Sequence, residues 1–198
     1  MEPHERGSET EINGPGRMEA FSDGVMAIII TIMVLELKVP HDPTPGGLLE
    51  LWPTFTSYAL SFMLVAVYWM NHQRLLKHVR HASHAVLWWN LLLLFFLSLI
   101  PFATAFVGEN HLETFPTAIY GLAMLLPALT YWGLHRAILA ANPAGAASRT
   151  LGHRATRKNA IAIAVYVIGI ALAPVQPALT MLAILAVAIM YFLPDAFT

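Results

Sequence analysis

The 198-residue chain contains no cysteine, which excludes disulfides, thiolate metal sites and cysteine nucleophiles together. It is also poor in charge. Asp, Glu, Lys and Arg make up 12% of the residues, against roughly 25% in an ordinary soluble domain. Eleven basic against twelve acidic side chains leave a net charge of −1, so there is no basic excess to recommend nucleic acid as a partner. A cleavable signal layout is missing as well. Residues 1–16 are polar and Gly-punctuated without a basic, then apolar, then small-residue order, and they are expected to form a disordered cytoplasmic tail. No sequence repeat relates the two halves of the remaining chain, which weakens an inverted-repeat transporter reading.

What the chain does have is apolar length, with 57% hydrophobic residues. A spanning helix needs about 20 mostly apolar residues, because the hydrocarbon core is about 30 Å thick and a helix rises about 1.5 Å per residue. Six segments approach this: residues 18–37, 53–71, 85–106, 115–137, 159–173 and 176–192, the last two joined by a tight turn at Pro174-Val-Gln-Pro177. The fold class expected is therefore an all-α membrane protein, with residues 17–198 forming one six-helix transmembrane domain and no room for a soluble one.

Basic residues fix its orientation, because Lys and Arg accumulate on the cytoplasmic side. Arg6 and Arg17 precede the first span, Arg74, Lys77 and Arg80 follow the second, and Arg136, Arg149, Arg154, Arg157 and Lys158 lie between the fourth and fifth. These are ten of the eleven, with only Lys38 opposite, and they put both termini in the cytoplasm.

The first span is the anomalous one, since Arg17, Glu19 and Asp23 enter the membrane with it. Charge within a span costs about 2.5–3.5 kcal/mol even on lenient scales, so a functional or anchoring role is the default suspicion. At 100° per residue, Gly24, Ile28, Thr31, Ile32 and Leu35 share one stripe, and Ser22 and Asp23 fall off it. Periodicity alone leaves open whether this stripe is ordinary helix packing, and whether Asp23 is a structural anchor.

Elsewhere the bland readings prevail. His72, His78, His81 and His84 suggest a metal site, yet no carboxylate accompanies them between positions 71 and 90, so they read as an interfacial face. Glu36 and Asp42 read as solvated loop charges, and Trp69, Trp88, Trp89 and Trp132 as an interfacial aromatic belt. Pro127 is expected to kink the fourth helix or to free a carbonyl. Helices two to six offer hydroxyls but no acidic partner at depth, so an embedded enzyme is not expected.

The run Arg17-x-x-x-Phe21-Ser22-Asp23, followed by Thr31 and Pro40, resembles the RxxxFSD signature of the transmembrane protein 175 family of potassium channels. The resemblance extends to Tyr68-Trp69-Met-Asn-His72 and to Trp89-Asn90 with Pro101-Phe102-Ala-Thr104, and covers the last three helices only in hydropathy and count. It implies a homotetramer in a prokaryotic plasma membrane, with the first helix of each copy lining a pore for potassium ions and no cofactor. The carbonyl filter sequence TVGYG of other potassium channels does not occur. By position, Ile28, Ile32 and Leu35 are the implied hydrophobic constriction and gate, and Thr31 the hydroxyl layer. Arg17, Phe21, Ser22 and Asp23 are implied to form a network to the next two helices, with His72 and Asn90 as partners. The alternative is a proton-coupled or proton-conducting transporter that uses Asp23 and His72 as a relay.

Overall fold

Proline sets the starts of the helices. The computed structural model describes residues 15–80, 82–142 and 146–192, with side chains of the last stretch from 156 onward. Pro15 opens α1 (Pro15–Ile32), Pro45 opens α2 (Pro45–Glu50), Pro53 lies in the first turn of α3 (Trp52–Leu76), and Pro177 opens α8 (Pro177–Phe192). In a first turn the missing N–H is an orphan in any case, and the fixed φ suits a helix. Two caps supplement this: Thr44 Oγ1 accepts from Gly47 N at 3.3 Å, and Ser83 Oγ accepts from Val86 N at 3.4 Å at the start of α4 (His84–Ser98). The remaining helices are α5 (Ile100–Glu109), α6 (Thr114–Ala141) and α7 (Ala146–Leu172).

Several boundaries differ from those expected. Helix α1 begins at Pro15, inside the expected tail; residues 1–14 of that tail lie outside the described residues. Its α-helical part stops at Ile32 and tightens into a 3₁₀ turn, Met33–Glu36, so Leu35 does not follow the 100° wheel. The expected span 85–106 is broken at Leu99. Pro101 has no N–H for the Leu97 carbonyl, and the helix closes before it in a tighter turn, with Leu99 N bonded to Phe96 O (3.2 Å) and Ser98 Oγ to Phe95 O (2.7 Å). The fifth segment, expected as the short 159–173, belongs to a 27-residue helix that starts at Ala146, because a polar stretch extends a helix without announcing it in hydropathy. Pro127 leaves α6 unbroken. In the turn that follows it, Thr130 Oγ1 donates to Leu126 O and Pro127 O, and Asn159 Nδ2 from α7 donates to Ala128 O at 3.1 Å, which ties α7 to α6.

Helix α6 occupies the centre, packed against α4, α5, α7 and α8 through Tyr120, Met124, Ala128, Tyr131, Leu134 and Ile138. Helix α1 lies at the margin against α3 and α4. Among the described residues, three stretches are long and apolar enough to cross a membrane: Pro15–Glu36, His84–Glu109 and Thr114–Ala141; Pro177–Phe192 is a shorter apolar helix. All are helical, and among the described residues there is no strand.

Candidate functional site

Helix α1 has two faces of different fate. Met18, Ser22, Met26, Ile29 and Met33, spaced four, four, three and four apart, form one seam buried against α3 and α4. The other face is left uncovered by its own chain: Ile28 is 58% exposed, Ile32 42% and Leu35 75%, with Gly24 and Thr31 exposed beside them. Thr31 Oγ1 donates back into its own helix, 3.1 Å from Ala27 O and 3.0 Å from Ile28 O.

Behind the buried seam runs a directed chain of hydrogen bonds. Asn90 Nδ2 on α4 donates to Ser22 Oγ at 2.9 Å, and Ser22 Oγ donates to Met18 O at 2.7 Å. The Asn90 carboxamide oxygen must then accept from His72 Nε2 on α3, 2.7 Å away, which places the imidazole proton on Nε2. All three side chains are buried, and His72 Nδ1 has no partner among the described residues.

The other signature residues are not gathered into this chain. Asp23 is held by Trp69, whose Nε1–H donates to Oδ1 at 2.9 Å, and not by His72. Arg17 is exposed, with no ion pair or hydrogen bond among the described residues, and Phe21 is exposed too. The expected carboxylate paired with histidine and arginine is therefore absent; neighbouring side chains Ser22 and Asp23 diverge by about 100°, so each meets a different position on α3 and α4. Asp23 and His72, the residues of the relay alternative, sit on separate partners.

Sequence reasoning missed two features. Trp69 is more than an interfacial ring, since it is the partner of Asp23. A second buried cluster also joins α3, α5 and α6, where Ser61 Oγ lies 2.6 Å from Thr104 Oγ1 and 2.7 Å from the Tyr120 hydroxyl. The one sequence sign of it is Ser57-x-x-x-Ser61, two hydroxyls one turn apart on an apolar helix.

At the opposite end, Lys38 forms an ion pair with Glu109, which ties the exit of α1 to α5 and raises the Lys38 ammonium above its ordinary pKa. Asp42 Oδ2 accepts from Thr44 Oγ1 at 2.7 Å, so this carboxylate braces the start of α2. No group of three or more His, Asp or Glu among the described residues is arranged to hold a metal ion; His81 lies outside them.

Residues 17–101, which contain the α1 faces and both of their partner helices, match the family described as endosomal/lysosomal potassium channel TMEM175. A potassium channel from Chryseobacterium sp. (strain P1-3) is 41% identical over 180 residues, covering 91% of this chain and 93% of the relative. The chain belongs to the TMEM175 family. The fold of a TMEM175 homolog from Chamaesiphon minutus, described as a lysosomal potassium-selective channel homolog, matches with a TM-score of 0.81 at 31% identity, over 89% of this chain and 95% of that one. The human endosomal/lysosomal proton channel TMEM175 is 33% identical over 141 residues, which is 58% of this chain and 28% of that protein. TMEM175 proteins are membrane channels and not enzymes, and this chain is one of them.

Proposed function

We propose that four copies of this chain assemble in a prokaryotic plasma membrane, both termini cytoplasmic and six helices spanning, around a pore lined by α1 that passes potassium in modest preference to sodium. The observation that carries this reading is the unpartnered face of α1: one seam is fully buried in its own subunit, while Ile28, Ile32 and Leu35 project from it uncovered. In a closed assembly four such faces converge. A narrow ring of isoleucines offers an ion no replacement for its hydration shell and sheds water, so Ile28 is the main constriction and gate, with Ile32 and Leu35 beyond it. When the helices part, the ring wets, and the Thr31 oxygens stand beside the passing ion. Potassium holds its hydration shell less tightly than sodium, hence the direction of the preference, and the lack of a carbonyl filter keeps it modest.

The test is ion flux from liposomes that contain the purified protein, under potassium and then sodium gradients, for wild type and Ile28→Asn. Potassium flux exceeding sodium flux in the wild type, with a larger and less selective flux in the variant, is the expected result. Flux unchanged by the substitution at equal protein density moves the constriction to Leu35. Flux that saturates with substrate and follows the pH gradient overturns the channel reading in favour of proton coupling.

A further inference from the structure

The uncovered stripe of α1 begins before Gly24. Counted at about 100° per residue from Arg17, Phe21 stands at about 40°, Gly24 at about −20°, Ile28 at about 20° and Ile32 at about 60°. Arg17 thus lies on the face that Ile28 and Ile32 share. The buried seam of Met18, Ser22, Met26 and Ile29 occupies the sector from about 100° to 180° of the same wheel. Exposure agrees with this count: Arg17 and Phe21 are exposed, as Ile28 is, and Arg17 makes no ion pair or hydrogen bond among the described residues. The two acids of this end lie elsewhere. Glu19 and Asp23 fall at about 200° and 240°, and Asp23 is engaged by Trp69 of α3. Between Arg17 and Leu35 the stripe therefore carries one charge, and it is positive.

At the other end of α1 the sign is reversed. Lys38 is paired with Glu109, whereas Glu36 follows Leu35 directly and has no ion pair among the described residues. Cation pores gather their permeant ion with rings of Asp or Glu, and rings of Arg or Lys belong to anion pores. A guanidinium on the lining face of a potassium channel thus opposes the entry of potassium from its own side.

We infer that four Arg17 side chains form a cationic ring at the cytoplasmic mouth, about 16 Å along the axis from Ile28, which thins potassium there and makes the pore pass inward current more readily than outward. The ring presupposes the fourfold pore and the orientation given under the proposed function. Its field reaches the constriction only where the Debye length exceeds that separation, which holds at 10 mM salt, about 30 Å, and fails at 1 M, about 3 Å.

Inside-out patches containing the full-length protein, in symmetrical KCl at 10 mM and at 1 M, test this with the cytoplasmic face known. At 10 mM the wild-type outward conductance is expected to be about threefold below the inward one, the depletion produced by a potential of about one kT. At 1 M the two are expected to be equal. Arg17→Gln raises the outward conductance at 10 mM to the inward value, Arg17→Lys retains the asymmetry, and Glu19→Gln, off the stripe, does not diminish it. A merely structural arginine changes the yield of assembled protein, without dependence on salt or polarity. Ala20→Glu provides a second route, because this exposed position, at about −60° on the wheel, sets a carboxylate beside the retained arginine. It too is expected to abolish the asymmetry. A wild type that is symmetric at 10 mM, a larger outward current, or an asymmetry that survives 1 M salt or both Arg17→Gln and Ala20→Glu overturns the inference and leaves the pore standing. Flux indifferent to Ile28→Asn and Leu35→Asn alike removes the lining face itself, and the ring with it.

Discussion

Asn90 donates with one end of its carboxamide and accepts with the other, so a single buried side chain fixes both Ser22 of α1 and the tautomer of His72 on α3. Replacing it by the similarly sized Leu removes both bonds and strands a buried Nε2–H. The expected loss is about 1–3 kcal/mol for the orphaned group, and more if Ser22 finds no substitute. Thermal unfolding followed by size-exclusion chromatography checks it, and Ser22→Ala, which deletes only the acceptor at the end of the chain, is expected to lower the midpoint less. Asp23 belongs to a different pair. Trp69→Phe and Asp23→Ala, each of which deletes one side of that bond, are expected to give less than additive losses in a double-mutant cycle; full additivity excludes the Trp69–Asp23 bond as a coupled contact.

Helices meet in this protein where glycine lets them. A Cβ on Gly108 of α5 would stand 2.9 Å from the Thr54 Cα and 2.8 Å from Ser57 Oγ on α3, and the first of these is backbone that no rotamer change relieves. Gly108→Ala is therefore expected to destabilise by about 1–3 kcal/mol through separation of α3 from α5. Its measure is the urea or thermal midpoint in detergent, and an unchanged midpoint contradicts the close approach.

The division of α1 into two faces was legible in the sequence, because a 3.6-residue period separates Met18, Ser22, Met26 and Ile29 from Gly24, Ile28 and Ile32 without reference to neighbours. The partner of Asp23 was not. Trp69 and His72 differ by less than one turn of α3, and the rotation of that helix about its axis, which decides between them, is set by packing against α5 and α6. The break at Leu99 had a visible cause in Pro101, but hydropathy runs across it without a dip. The N-terminal half of α7 had no apolar sign at all, since Arg157 and Lys158 read as loop charge when they lie within a helix.

At the scale of the whole molecule, charge is sorted by end. Lys38 sits with the carboxylates Glu36, Asp42, Glu50, Glu109 and Glu113 in the connections from α1 to α3 and from α5 to α6, whereas Arg74, Lys77, Arg80, Arg136, Arg157 and Lys158 flank the connections from α3 to α4 and from α6 to α7, the end that Glu19 and Asp23 of α1 share. Because the chain has no cysteine, one engineered thiol reports its own side of the membrane. Lys77→Cys is expected to resist a membrane-impermeant maleimide in intact cells, and His41→Cys to react; the reverse pattern inverts the proposed orientation. Native mass spectrometry is expected to give a mass of four chains, and a stable monomer or dimer that still conducts potassium rules out a pore built from four α1 faces.

Thr31 has already committed its hydroxyl proton to the carbonyls of its own helix. What it turns outward is lone-pair density alone, and Ile28, Ile32 and Leu35 around it have no N–H or O–H to offer. An anion that reached this level would shed water and receive no donor in return, whereas a cation finds oxygen. In the pore proposed above, the sign of the charge admitted would thus follow from the direction of the Thr31 hydroxyl, with no carboxylate among the residues assigned to its lining.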